Sequence, residues 1–105
     1  MPGSAQRGDA AGLLLAIDGE LTFGTAPEQH ARLLSALEAA AGTLTVDLSQ
    51  VSSFDLAGVQ LLYAAHRSAA ERGIVLEIRY GANAERFGKL FRFAGLKPIG
   101  GGTGA

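Results

Sequence analysis

The 105-residue chain contains no cysteine. That excludes disulfides, thiolate nucleophiles and thiolate zinc sites, and it fits a reducing, cytoplasmic setting. Histidine is almost as scarce. His30 and His66 are the only two, they do not share a His-x-x-x-His spacing, and no metal site is expected from them. Each falls near an apolar stripe and reads as a partly buried structural residue. No run approaches the roughly 20 apolar residues of a membrane span, so membrane insertion is not expected. The opening Met-Pro-Gly-Ser-Ala-Gln-Arg-Gly-Asp lacks the apolar core of a signal peptide. Positive charge is not in excess either. Nine basic residues against ten acidic ones give a formal net charge of −1 and a pI near 6.1, which argues against a domain built to bind nucleic acid. Fifteen glycines are present, yet no Gly-x-Gly-x-x-Gly or Walker pattern arises, so no nucleotide cradle and no cofactor are implied.

What the chain does have is apolar residue, 48% against 18% charged. That excludes a disordered polymer and suffices for one modest core at this length. Residues 1–10 read as a flexible arm, 11–99 as a single domain and 100–105 as a flexible Gly-rich tail. Leu13 to Ile17 suit a buried strand, Asp18-Gly19 has the composition of a two-residue hairpin turn, and Glu20 to Phe23 continue as the second strand. Thr25-Ala-Pro-Glu28 marks a helix start, with Thr25 placed to cap, Glu28 to reach back, and Pro27 in the first turn. The helix over about 27–41 sets Ala26, His30, Leu33, Leu34, Leu37 and Ala41 along one stripe, and Gly42 stops it.

Thr43 to Leu48 alternate as a central strand, and Ser49 to Ser53 read as a polar turn. A second helix runs from about Gly58 to Arg72, with Val59, Leu62, Tyr63, His66 and Ala70 on one side. Ile74 to Arg79 form the next strand. Asn83 is placed to cap a third helix carrying Ala84, Phe87, Leu90, Phe91 and Ala94 at helical spacing, and Gly95 ends it. A short final strand is expected around Lys97 to Ile99. The order β-β-α-β-α-β-α predicts an α/β fold, a small mixed or mostly parallel sheet covered by helices.

The most specific signal lies in residues 46–62, Val-Asp-Leu-Ser-Gln-Val-Ser-Ser-Phe-Asp-Leu-Ala-Gly-Val-Gln-Leu-Leu. Asp55 opens the second helix and Gly58 follows, so a carboxylate and a helix N-terminus face outward at one sheet edge. The segment resembles the signature of STAS domains, named after sulfate transporters and anti-sigma factor antagonists. In that signature Asp-Leu-Ser, a short turn and Asp-Ser/Thr-Ser/Ala-Gly lead into a helix. The resemblance covers about residues 12–96 and implies the STAS fold.

It also implies a non-catalytic protein-interaction domain of bacterial signalling, an adaptor or docking partner for a histidine-kinase or anti-sigma type protein. The run Asp-Leu-Ala-Gly-Val-Gln-Leu-Leu, followed by Ala-Ala-His-Arg-Ser-Ala, looks like free-standing members associated with chemotaxis and two-component signalling. The alternative within the family is a STAS subunit that binds the ATPase of a bacterial ABC-type phospholipid transport complex. In the regulatory members a Ser or Thr after the helix-opening Asp accepts a phosphoryl group. Here that position is Leu56, which has no oxygen to phosphorylate. The partner surface implied by the resemblance comprises Asp18, Gly19, Ser52, Ser53, Asp55, Leu56, Ala57, Gly58, Val59 and Gln60.

The remaining polar groups have plainer readings. Asp47 and Asp55 suggest acid–base chemistry only by their type. Asp47 bonding backbone or turn hydroxyls near the strand end, and Asp55 capping its helix, explain both acids better. Ser49, Ser52 and Ser53 suit turn hydrogen bonds, with a displaced phosphosite as the minor reading. Gly58 permits close approach of the helix to a neighbour or to a partner. Charge is unevenly placed: residues 1–55 carry Arg7 and Arg32 against seven acids, and residues 56–105 carry seven basic residues against Glu71, Glu77 and Glu85. Arg79, Arg86, Lys89, Arg92 and Lys97 gather around the third helix, opposed only by Glu85. They read as a solvated outer face, or as a contact for an acidic partner or anionic membrane surface. Phe93 falls off the core stripe.

Overall fold

The computed structural model describes residues 5–7, 12–97 and 99. Four strands, β1 (Ala5–Arg7), β2 (Gly12–Leu21), β3 (Thr43–Phe54) and β4 (Val75–Arg79), form one sheet in the order β1-β2-β3-β4. β1 is antiparallel to β2, and β2, β3 and β4 run parallel. Three helices connect or follow them: α1 (Ala26–Ala39), α2 (Leu56–Glu71) and α3 (Ala84–Phe93). Single 3-10 turns at Phe23–Thr25 and Gly81–Asn83 precede α1 and α3. The sheet is therefore mixed, with a parallel centre, as the element order predicts.

Side-chain alternation decides which face is covered. Leu13, Leu44 and Leu76 are neighbours across the strands, and so are Leu15, Val46 and Ile78. Most of this face is buried, together with Ile17, Leu21 and Leu48. α1 packs on β2, α2 packs on β3 and β4, and the two helices pack on each other. Leu33, Ala36 and Leu37 of α1 and Val59, Leu62, Ala65 and Ala69 of α2 close that core. The opposite face carries Leu14, Thr45, Asp47 and Glu77, half-buried, with Ala16, Val75 and Arg79 exposed. The helices cover one side only, and polar residues at alternate positions keep the other wettable.

The expected Asp18-Gly19 hairpin does not form. β2 runs unbroken through both residues and pairs in parallel with β3, which is itself extended through Ser49–Ser53 where a polar turn was expected. The register explains the polar composition. Ala16 pairs with Asp47 but Asp18 with Gln50, and Gly19 pairs with Val51 but Glu20 with Ser53. β3 thus carries two extra residues, one per irregularity, and Gly19 at φ 75° supplies the left-handed backbone beside them. Leu48 and Val51, three apart, are both buried because the first bulge resets the alternation.

Asn83 secures that bulge. Its side-chain NH2 donates to the carbonyls of Leu48 (2.9 Å) and Val51 (3.0 Å), and its Oδ1 accepts from Arg86 (3.0 Å). Asn83 occupies the expected cap position of α3, but its side chain makes no cap hydrogen bond. Thr25 differs similarly. It sits before α1, yet its hydroxyl donates to the Glu20 carbonyl and accepts from the Thr22 N–H, bracing the 3-10 turn instead.

Other sequence expectations shift by a residue or two. Gln29 and Ala36 are buried on α1 where His30 and Leu34 were expected, and Ala65 and Ala69 on α2 where His66 and Ala70 were expected. His30 and His66 are both exposed rather than partly buried. Ala5–Arg7, within the expected arm, pairs as an edge strand. The final strand is not seen among the described residues. Ile99 is instead buried, and its carbonyl accepts from the Tyr80 hydroxyl (2.8 Å). Residues 1–4 and 100–105, at the expected arm and tail, lie outside the described residues.

Two predictions follow from these contacts. Asn83→Ala leaves the Leu48 and Val51 carbonyls without their buried donor and should cost about 3 kcal/mol in urea unfolding. Burial, reinforced by the nearby Tyr63 phenol, pushes the Tyr80 hydroxyl up to about 12 from an ordinary 10.0. A raised phenol favours the protonated fold, so this contribution to stability holds below pH 10 and is lost as pH rises through 12. The difference between the alkaline absorbance titrations of the wild type and Tyr80→Phe should have its midpoint near 12.

Candidate functional site

The carboxyl ends of β2 and β3 meet the start of α2. Asp55 leaves the sheet in extended conformation, and its N–H donates to the Leu21 carbonyl. Its side chain then divides. Oδ1 accepts from the Gly58 N–H (3.1 Å), capping α2, and Oδ2 accepts from the Phe23 N–H (3.1 Å) across 32 residues of chain. One carboxylate thus ties the helix N-terminus to the turn that follows β2. Capping alone is worth about 1 kcal/mol.

Gly58 makes the tie possible. A Cβ there would stand 2.1 Å from the Leu21 carbonyl oxygen, so only glycine lets α2 approach β2 this closely. The neighbour that the sequence left open is the protein's own strand.

The second irregularity of the sheet lies beside this junction. The Ser52 hydroxyl donates to the Gly19 carbonyl (3.1 Å), bridging the extra residue of β3. Asp47 has a comparable task at the first irregularity, where its Oδ1 accepts from the Ser49 N–H (2.9 Å). Asp47 and Asp55 therefore both serve backbone donors. Eight residues of extended chain also separate them by about 25 Å, which removes the paired-acid reading. Among the described residues no group of three or more His, Asp and Glu is arranged to hold a metal ion.

Two large apolar side chains stand out of the surface on either side of the Asp55 tie. Phe23 is 79% exposed and Leu56 43% exposed. Phe23, Ala26, Pro27, His30 and Leu61 line a shallow apolar groove between α1 and α2. Asp18 and Glu20 of β2 and Glu28 in the first turn of α1 are all exposed. An exposed apolar cluster of this kind is the sort of patch that can serve as a contact surface.

Of the ten residues implied by the resemblance, Asp18, Gly19, Ser52, Leu56 and Gln60 are exposed, and Ser53, Asp55 and Ala57 half-buried. Strand pairing and the Asp55 bonds bring the strand residues and the helix start together at this end of the sheet. Gly58 and Val59 do not belong to the surface. Gly58 is buried against Leu21, and Val59 is 0% exposed in the core, because they occupy the inward side of the first turn of α2. Phe23 and the groove residues were missed in the sequence. The sequence pattern places Phe23 at the end of a strand, and the one signal against that is the Gly24 that follows it.

A family model described as "Mlab, STAS domain" matches residues 4–99. The chain belongs to the STAS family. Solved structures agree on the fold. The anti-sigma factor antagonist SpoIIAA in its unphosphorylated form is 19% identical, with a TM-score of 0.62 over 85% of this chain and 80% of that one. A sulfate transporter family protein from Wolinella succinogenes is 23% identical, with a TM-score of 0.65 over 82% and 69%. The STAS domain of a SulP transporter from Vibrio cholerae is 21% identical, with a TM-score of 0.55 over 80% and 66%. No curated protein sequence matches the chain.

In this STAS domain, the Gly58 contact makes a prediction opposite to helix propensity. Alanine normally improves a helix by about 1 kcal/mol over glycine. Gly58→Ala should instead destabilise the protein by about 2–3 kcal/mol, because the added methyl overlaps backbone that cannot move aside. Thermal or urea unfolding decides the sign.

Proposed function

We propose that this STAS domain is a protein-docking module of bacterial signalling that works without phosphorylation at its helix start. The observation that carries the reading is the pair of exposed side chains, Phe23 and Leu56, flanking a carboxylate already committed to two backbone amides. A committed carboxylate is poor at chemistry and good at holding a surface in shape. The position that accepts phosphate in regulatory relatives is filled by leucine, so this surface presents an apolar contact with no group there to receive added charge. The partner class suggested by the anti-sigma antagonist resemblance is a histidine-kinase or anti-sigma type protein, and a cytoplasmic adaptor role suits it.

A second reading keeps the surface and changes the partner. The matching family model is described by Mlab rather than by an anti-sigma factor antagonist. This favours the STAS subunit of an ABC-type phospholipid transport complex, with the ATPase on the same face.

Leu56→Asp places a charge on the contact while leaving the fold intact, since a helix N-terminus tolerates an acid. Partner affinity should fall by about 2 kcal/mol, roughly thirtyfold. Titration calorimetry against the partner co-purified from native cells measures this, and the partner's identity separates the two readings. Unchanged affinity in a folded variant removes Leu56 from the interface.

A further inference from the structure

We propose that the outer face of α3 is a second contact surface, separate from the α2 docking site, that seats the domain peripherally on an anionic membrane surface. Phe93 is 90% exposed, the most exposed of the large hydrophobic residues described. Arg86, Lys89 and Phe93 lie at i, i+3 and i+7, one stripe on the side opposite buried Phe87 and Phe91. Arg92 stands next to Phe93, and Lys97 follows the helix. All four cations are exposed, and Glu85 is the one acid on α3.

The Arg86 end of the stripe and the chain beyond the helix are anchored. The Arg86 guanidinium lies 5.0 Å from the centre of the Phe54 ring, and Phe54 stacks on Phe87 at 3.6 Å. The Tyr63 hydroxyl donates to the Lys97 carbonyl, fixing the chain beyond the helix. Arg86 is thus partly engaged, whereas no hydrogen bond or ion pair is described for the side chains of Lys89, Arg92 or Lys97.

Shape and charge together select the occupant. The described grooves are lined by residues of α1, α2 and the turn before α1, not by α3. A projecting ring ringed by cations suits a deformable anionic layer, into which one aromatic side chain enters at headgroup depth while the cations meet phosphate. A folded acidic protein would need a pocket to receive the ring. The contact is peripheral, and no helix among the described residues is long and apolar enough to cross the membrane.

The test is co-sedimentation of the full chain with phosphatidylcholine vesicles, with and without about 30% phosphatidylglycerol. Binding should require the anionic lipid and fall at least tenfold, roughly, between about 0.05 M and about 0.5 M salt. Lys89→Glu with Arg92→Glu should abolish it, and Phe93→Ser should weaken it by about tenfold. Both variants alter exposed residues, and circular dichroism checks that they fold. Leu56→Asp should bind vesicles like the wild type, which keeps this surface distinct from the docking site. Equal binding with and without anionic lipid, or full binding by the Lys89/Arg92 variant, overturns the proposal. So does capture of poly-glutamate through these same residues by a wild-type protein that ignores the vesicles, which would make the surface a protein contact.

Discussion

The two hydrogen bonds of the Asp55 carboxylate are the constraint on which this surface depends. One bond ends a helix and the other reaches back 32 residues to the turn after β2. Without the first, α2 begins with an unpaired N–H. Without the second, no described hydrogen bond joins the Phe23 backbone to the start of α2. Because the helix also lies against the Leu21 carbonyl at Gly58, its position is set by contact on one side and by charge-assisted hydrogen bonding on the other. Leu56, the first residue of this helix, is thereby presented 43% exposed.

A second constraint lies in β3. Two extra residues bend this strand out of register with β2, and three polar side chains repair the resulting gaps. Asp47 accepts the Ser49 amide, Ser52 donates to the Gly19 carbonyl, and Asn83 spans from Leu48 to Val51. Gly81 adds close contact with Ser49, where a Cβ would come within 2.5 Å. Polar residues that looked available for chemistry are spent on backbone geometry. The irregular end of the sheet is where a partner surface is expected, and its side chains are held by bonds within the domain.

Much of this was legible in the residues. The alternation of Leu44, Val46 and Leu48, the helical recurrence of Phe87 and Phe91, and the Asp55 cap all follow from local rules that the structure obeys. The Asp18-Gly19 pair was misleading because hairpin composition and bulge composition coincide. A glycine with positive φ serves either, and only the partner strand decides which. Ser49–Ser53 misled for the same reason. Phe23, the side chain of Asn83 and the exposure of His30 and His66 depend on contacts distant in sequence, or on helix rotation by one position. Neither is encoded in a local window.

The central claim is that Asp55 joins two segments into one surface. Amide hydrogen exchange in the wild type and Asp55→Ala tests it directly. The account predicts that the Phe23 and Gly58 amides lose protection together, while the β3 and β4 core amides change little. Faster exchange at Gly58 alone, with Phe23 unaffected, would reduce Asp55 to an ordinary helix cap and contradict the account.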